Sequence, residues 1–384
     1  MRGQLNEDQP YLKSVVLHQY LFGYELPDTI LLLTLKGDVV VLATRKKCEF
    51  LKPAVDHPND ANLSLTVLQK NKADGNAQNY QTLMEYLEQS KENKVVVGAL
   101  LKEFDNDAEN SDTMVARWQA KLTDQTTTDV GPGLSMLFSI KDTEELDLMK
   151  KSSVLSNKLM KHGCIPKLES IIDQSQSVSH EALATELEQM IEDPSSIKLK
   201  IPKDDVQSCY FPIVQSGGNY DLKVSASSNS STLKYDVLLV SIGARYKLYC
   251  SHLTRTFLVD PPKVVSENYE TLVGMHEACQ AAMQPGKSFK SVYKAAIQYL
   301  QNNQAEHLVE KLPKSLGFCM GLEFRDASLT LSAKNPTTFR AGMVVTLISG
   351  FQNLPLSTKD RAQTPSESDV SCTTTRLHCL CACI

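Results

Sequence analysis

Residues 238–260, LLVSIGARYKLYCSHLTRTFLVD, constrain this chain more than any other stretch. Leu238, Leu239 and Val240 form an apolar run, Gly243 and Ala244 interrupt it, and from Thr254 to Val259 β-branched and aromatic residues alternate with polar ones. That pattern predicts a β-hairpin lying across the core of a larger sheet. Gly243, lacking a Cβ, suits a bulge or the close approach of another backbone there. Strands are also expected over 209–215, 317–324 and 342–350. Helices are expected over 142–172, where Asp142 and Glu145 have capping-box spacing, from Ser179 to Met190, over 267–283 and 288–302, and briefly near Leu308.

The length of 384 residues suits two domains. Residues 1–130 read as a small α/β lobe: strands at 30–35 and 39–43 around the turn Lys36-Gly37-Asp38, helix at 49–55, strand at 63–68, helix at 80–91, strand at 94–100, helix at 113–122. The turn-forming run 129–133 opens a second domain, 131–356. From 357 to 384 the chain turns polar and then cysteine-rich, which predicts a disordered tail. A net charge of −5 supplies no basic field for holding nucleic acid, so sequence-specific DNA binding is not expected. The apolar stretch 29–43 is cut by Lys36, Gly37 and Asp38, so a hairpin rather than a membrane span is expected. Cys48, Cys164, Cys209, Cys250, Cys279 and Cys319 are scattered singly, without a disulfide framework, which points to a reducing compartment.

The hairpin resembles the metal-binding hairpin of the aminopeptidase P, prolidase and creatinase family through Gly243, Ala244, Tyr246, Tyr249, Ser251, Thr254, Arg255, Thr256 and Phe257. The resemblance implies a pita-bread domain, paired helices around a strongly bent antiparallel sheet. In that family two aspartates eleven residues apart help hold a pair of divalent metals. Ser241 and His252 occupy those positions here. Where an H-G-x-G-L-E run carries a histidine ligand this chain has Phe318, and where an M-V-F-T-I-E-P-G strand carries a glutamate it has Ile348; no counterpart of the final glutamate strand is found. Phe318 and Ile348 cannot ligate at all. The resemblance therefore implies a fold without metal, cofactor or catalysis, with Ser241 and His252 filling space, although a Ser–His dyad is a second reading of that pair.

A second resemblance is narrower. Tyr20 to Ile30, Ala43 to Lys47, Tyr210 to Lys223, Gly321 to Arg325 and Gly350 to Gln352 are similar to the N-terminal domain of the large subunit of the FACT histone chaperone. That family implies a nuclear, chromosome-bound protein engaging H3–H4 or histone tails during nucleosome disassembly and reassembly in transcription, replication and repair. Contacts to the other FACT subunit would run through domains absent here, and the domain pair is expected to be trimmed at both ends. Candidate histone-binding residues are Gln215, Ser216, Gly217, Gly218, Asn219, Asp221, Glu323 and Arg325. The glycine-rich turn has an equally good reading as backbone geometry, and Glu323 one as a partner for Arg325. Thr44, Arg45, Lys46 and Lys47 form a second candidate patch, against the plainer reading of a solvated element end.

Overall fold

The computed structural model describes residues 11–56, 62–90, 96–104, 113–218, 220–235, 237–355 and 369–379. The chain divides into two compact units, Met1–Leu134 and Ser135–Ile384.

The first unit runs α1 (Lys13–Phe22), β1 (Ile30–Leu33), β2 (Asp38–Ala43), α2 (Arg45–Asp56), β3 (Ser64–Gln69), α3 (Ala77–Gln89), β4 (Val96–Ala99), α4 (Leu101–Phe104), α5 (Met114–Lys121) and β5 (Thr126–Asp129). β1 pairs antiparallel with β2 across the expected turn, β2 pairs parallel with β3, and β4 pairs parallel with β5 in a separate sheet. α5 starts where Thr113 accepts a hydrogen bond from the Ala116 amide at 3.1 Å. Ile30, Val40 and Leu42 from the strands bury against Leu83, Leu87, Val115 and Trp118 from the helices. α1 and β5 were not anticipated, and α2 begins at Arg45 rather than 49, so the basic run lies on a helix. The turn-forming run at 129–133 leads into α6 (Gly131–Ser139).

The second unit continues with α7 (Thr143–Leu159), α8 (Ile165–Asp173), α9 (His180–Glu192), β6 (Val206–Ser208), β7 (Ile213–Ser216), β8 (Val237–Ile242), β9 (Ala244–Tyr246), β10 (Tyr249–Cys250), β11 (Leu253–Leu258), α10 (Lys263–Ala282), α11 (Phe289–Asn302), β12 (Ser315–Cys319), β13 (Thr330–Ser332), β14 (Val344–Pro355) and β15 (Asp369–Cys379). Asp142 and Glu145 close the expected capping box, at 2.8 and 3.0 Å. The long first helix passes through a π-turn, Met160–Cys164, just before Pro166, which has no N–H to continue the ladder. α9 is capped by Ser179, whose side chain accepts from the Ala182 amide.

Seven strands form the main sheet in the order β13-β12-β14-β15-β11-β8-β7. One half packs on α10 and α11 through Leu272, Met275, Val292 and Leu300, the other on α7 to α9 through Leu155, Leu183 and Leu187. The hairpin is present, but only its base belongs to this sheet: β8 and β11 pair from Leu253↔Ile242 to Leu258↔Val237. Past Gly243 its tip leaves to form a small sheet, β10-β9-β6. A Cβ on Gly243 would meet Tyr210 Cε1 at 2.5 Å and the Ser251 carbonyl oxygen at 2.9 Å, so the close approach forbids any side chain.

Three expectations need correcting. The strand expected over 209–215 starts only at Ile213, as β7; β6 has ended at Ser208, and Pro212, which cannot donate to a ladder, stands just before β7. The strand expected over 317–324 ends at Cys319. Part of the tail expected to be disordered is β15, paired with both β14 and β11; Leu377 and neighbouring β-formers follow the polar run whose composition suggested otherwise. β15 also supplies a closing strand where none was expected, with Thr375 opposite Ile348 in register. The end of the cysteine-rich tail, residues 380–384, lies outside the described residues.

Candidate functional site

The four ligand-equivalent positions come together at the centre of the main sheet. Ser241 on β8 lies opposite Thr254 on β11. His252 immediately precedes β11, Phe318 stands on β12 and Ile348 on β14. Ser241, His252 and Phe318 are each only 3% exposed.

The polar members close on one another through two further residues. Tyr210 Oη lies 2.7 Å from Ser241 Oγ and 2.7 Å from His252 Nδ1. Thr254 Oγ1 donates to Ser241 Oγ at 2.9 Å and lies 3.2 Å from His252 Nε2. Counting protons fixes the direction of the ring. Thr254 has used its one hydrogen on Ser241, so His252 donates from Nε2 to Thr254 and accepts at Nδ1 from Tyr210. Ser241 then donates to Tyr210, and every member both gives and receives one hydrogen bond. The ring requires a neutral imidazole. Burial pushes the His252 pKa down to about 3 and raises that of Tyr210 well above its ordinary value, which keeps both neutral at physiological pH.

Aromatic rings fill the space beside this circuit. Phe324 lies 4.9 Å from Tyr210, 5.7 Å from His252 and 5.6 Å from Phe318 between ring centroids. The hollow left among Ser241, His252, Thr254, Ile348 and Asp221 measures ≈ 20 Å³, about the room one water needs. A pair of divalent cations asks for several anionic oxygen donors. The single imidazole here has both nitrogens engaged, two positions are hydrocarbon, and among the described residues no three His, Cys, Asp or Glu side chains gather. The residues present do not fit the metal pair. A Ser–His dyad does not form either: Tyr210 and Thr254 stand between Ser241 and His252.

The retained family residues have architectural partners. Tyr249 Oη donates to Glu145 Oε1 at 3.0 Å, tying the hairpin tip to the cap of α7. Ser251 Oγ lies 3.0 and 2.7 Å from the hydroxyls of Ser152 and Ser156 on the same helix. These bonds position the hairpin independently of any metal.

The other candidates fall into two groups. Gln215 clamps the backbone of Asp221, accepting from its N–H at 2.7 Å and donating to its carbonyl at 3.1 Å. Ser216 accepts from the Lys234 amide at 2.8 Å and meets His180 Nε2 at 2.7 Å. Gly217 and Gly218 both have left-handed φ, +81° and +100°, which favours glycine. These four build the loop, and Asn219 lies outside the described residues. Asp221 is exposed, 3.5 Å from Lys223, and lines the hollow, whereas Glu323, partly exposed, lies beside Lys141, Cys319 and Asp326. The exposed Arg325 holds its guanidinium 5.7 Å from the centre of the Phe318 ring. In the first unit Arg45 pairs with Glu49 at 2.9 Å, Lys47 donates to the Pro27 carbonyl, and the Thr44 carbonyl accepts from the Lys47 and Cys48 amides, starting α2. Lys46 is exposed on the same turn. Tyr210, Thr254 and Phe324 were not recognised as site residues from the sequence. The one available signal was Tyr210 two residues before a proline, where a strand should break.

Sheet, helix pairs and substituted ligand positions together define the pita-bread class of metallopeptidase fold with its donor set replaced. A model of metallopeptidase family M24 matches residues 147–372. A solved X-Pro aminopeptidase from Thermotoga maritima shares this fold, with a TM-score of 0.67 and 14% identity over 96% of this chain and 90% of that one. Residues 1–133 match the FACT complex subunit SPT16 N-terminal lobe domain. FACT complex subunit SPT16 of Oryza sativa subsp. japonica is 38% identical over 92% of this chain and 34% of its own length. The solved N-terminal domain of FACT complex subunit SPT16 from Cicer arietinum is 31% identical, with a TM-score of 0.87 over 99% of this chain and 87% of that one. The chain belongs to the SPT16 N-terminal domain family. It spans about a third of the length of the curated relatives it matches.

Proposed function

We propose that this chain is a non-catalytic histone-binding module of a FACT-type chaperone. It engages H3–H4 or their tails in the nucleus, on chromosomes, and serves nucleosome disassembly and reassembly in transcription, replication and repair. The observation that carries the non-catalytic reading is the closed Tyr210–Ser241–Thr254–His252 circuit. It occupies the place where a metallopeptidase needs carboxylates and satisfies itself without an ion. The names of the relatives support the chaperone context.

With only ≈ 20 Å³ left at the centre, the deep cleft cannot admit a peptide side chain. Binding therefore falls to the exposed surface, where Asp221 and Glu323 offer charges complementary to lysine-rich tails, with Arg325 close to Glu323 in sequence. Gln215, Ser216, Gly217 and Gly218 shape the loop that presents Asp221. The patch at Thr44, Arg45, Lys46 and Lys47 contributes less to this reading, since two of its cations are occupied within the lobe.

Calorimetric titration with H3–H4 and with an H3 tail peptide tests this. Saturable binding weakened about threefold to tenfold by the double variant Asp221→Lys/Glu323→Lys is expected. Hydrolysis of an X-Pro dipeptide stimulated by Mn²⁺ would establish a working peptidase instead, and histone affinity below detection would leave a purely structural docking domain.

A further inference from the structure

The net charge of −5 is unevenly spread along the chain. Between Asp147 and Glu169 stand five lysines, Lys150, Lys151, Lys158, Lys161 and Lys167, and no Asp or Glu. The stretch is one continuous helical run through α7, the π-turn and α8. Leu155, Leu159 and Leu168 bury its inner side in the core, which leaves the lysines on the outer side. Lys151 pairs with Asp147 at 2.6 Å and Lys167 with Glu186 at 2.5 Å. Lys150, Lys158 and Lys161 are exposed and make no ion pair among the described residues. With Val154 they follow steps of four, four and three residues, one stripe of a helix, about 16 Å long.

A second segment widens the stripe. A Cβ on Gly163, in the π-turn, would lie 3.1 Å from Met190 Sδ and 3.5 Å from Ile197 Cγ2, so the stretch after α9 runs against the turn. Lys198 and Lys200, next along that stretch, are exposed and also make no ion pair among the described residues. Carboxylates border this face. Asp193 accepts from the Ser195 hydroxyl at 2.6 Å, and Glu192 is exposed at the end of α9. Ammonium groups gathered in this way repel one another, and an anion laid across them relieves the repulsion.

The chemistry of the face selects its partner. Val154, 52% exposed, is a single apolar side chain among the cations, and neither stretch contains an arginine to fork onto one phosphate or carboxylate. Lysines on an open surface act as point charges and suit a partner whose own charge is dense and evenly spaced. Duplex DNA carries one negative charge per ≈ 1.7 Å of axis and releases condensed counterions when lysines approach. A flexible acidic peptide carries less charge per length and loses its own freedom on binding.

We propose that the face formed by Lys150, Lys158, Lys161, Lys198 and Lys200 holds the phosphate backbone of duplex DNA without reading its sequence. The site shares no residue with the histone-binding reading.

The test titrates the full 384-residue chain into a fluorescein-labelled duplex of about 20 mixed-sequence base pairs, at about 50 mM salt and above, and follows fluorescence anisotropy. Saturable binding is expected, its logarithm falling with the logarithm of salt at a slope of about −3 to −4. Lys158→Glu/Lys161→Glu should weaken binding about tenfold or more and make the slope shallower by about 2. Both positions are exposed, and a thermal melt confirms that the variant folds. Lys46→Glu/Lys52→Glu makes the same change of net charge in the first unit and should leave affinity within about twofold. An equal loss in both variants would mean that binding follows net charge alone and would overturn the proposal, as would absence of binding. Tighter binding of a labelled deca-glutamate peptide than of the duplex would assign the face to an acidic protein segment and overturn it equally. No histone is present in the assay, so its failure leaves the histone reading untouched.

Discussion

The hollow at Ser241 and His252 and the slot between β1 and β4 are lined in opposite ways. The first is ringed by side-chain hydroxyls and an imidazole that bond to one another, beside Phe318 and Phe324, and keeps ≈ 20 Å³. The second is apolar, bounded by strand edges, and keeps ≈ 550 Å³. The difference lies in where the polar groups sit. Hydroxyls rotate, so three of them and one imidazole can find a mutually satisfying arrangement over a short reach. Backbone donors and acceptors are fixed at the spacing of the strand.

The most forceful way to break this contrast is to return charge to the hollow. Ser241→Asp/His252→Asp restores both aspartates without the rest of the ligand set. Two buried, unpaired carboxylates should cost about 4 kcal/mol or more of stability, read from urea denaturation at pH 7. Rescue of that variant by Mn²⁺ would show that the hollow still functions as a metal cage. Next, Phe318→Ala removes a ring packed against Phe324 and His252 and should cost about 3 kcal/mol in the same measurement. A smaller loss would mean that the aromatic plug is loose.

A pH effect comes third. Burial lowers the pKa of His18 on α1 from 6.5 to about 3. The unfolded chain then binds more protons than the folded one between those values, so stability is full above pH 6.5 and falls as pH drops toward 3. At pH 5, His18→Leu should remove a penalty of about 2 kcal/mol relative to pH 8. An unchanged pH profile would place the His18 ring in contact with water. His252, lowered by the same cause, adds to acid sensitivity from within the hollow. The smallest effect belongs to the slot: Leu35→Ser, at a fully exposed lining position, should change stability by no more than about 0.5 kcal/mol. A large loss there would mean that the slot is already covered.

Much of the architecture was legible in the chain. The alternation around Thr254 to Val259 located β11, the Asp142–Glu145 spacing located the start of α7, and the substituted ligand positions could be read one by one at 241, 252, 318 and 348. β15 was missed because its polar, threonine-rich sequence resembles a disordered segment. Its strand state comes from lying between β14 and β11.

Local pattern therefore set most of the strands and helices, though not α1, β5 or β15, and residue identity alone ruled out ligation by Phe318 and Ile348, because period and donor chemistry are properties of neighbouring residues. Only the tertiary structure brought Tyr210, 31 positions before Ser241, against the imidazole of His252, and only it set β1 and β4 on either side of one gap. Those arrangements join residues distant along the chain, and their proton directions and volumes depend on three-dimensional distances that spacing does not encode.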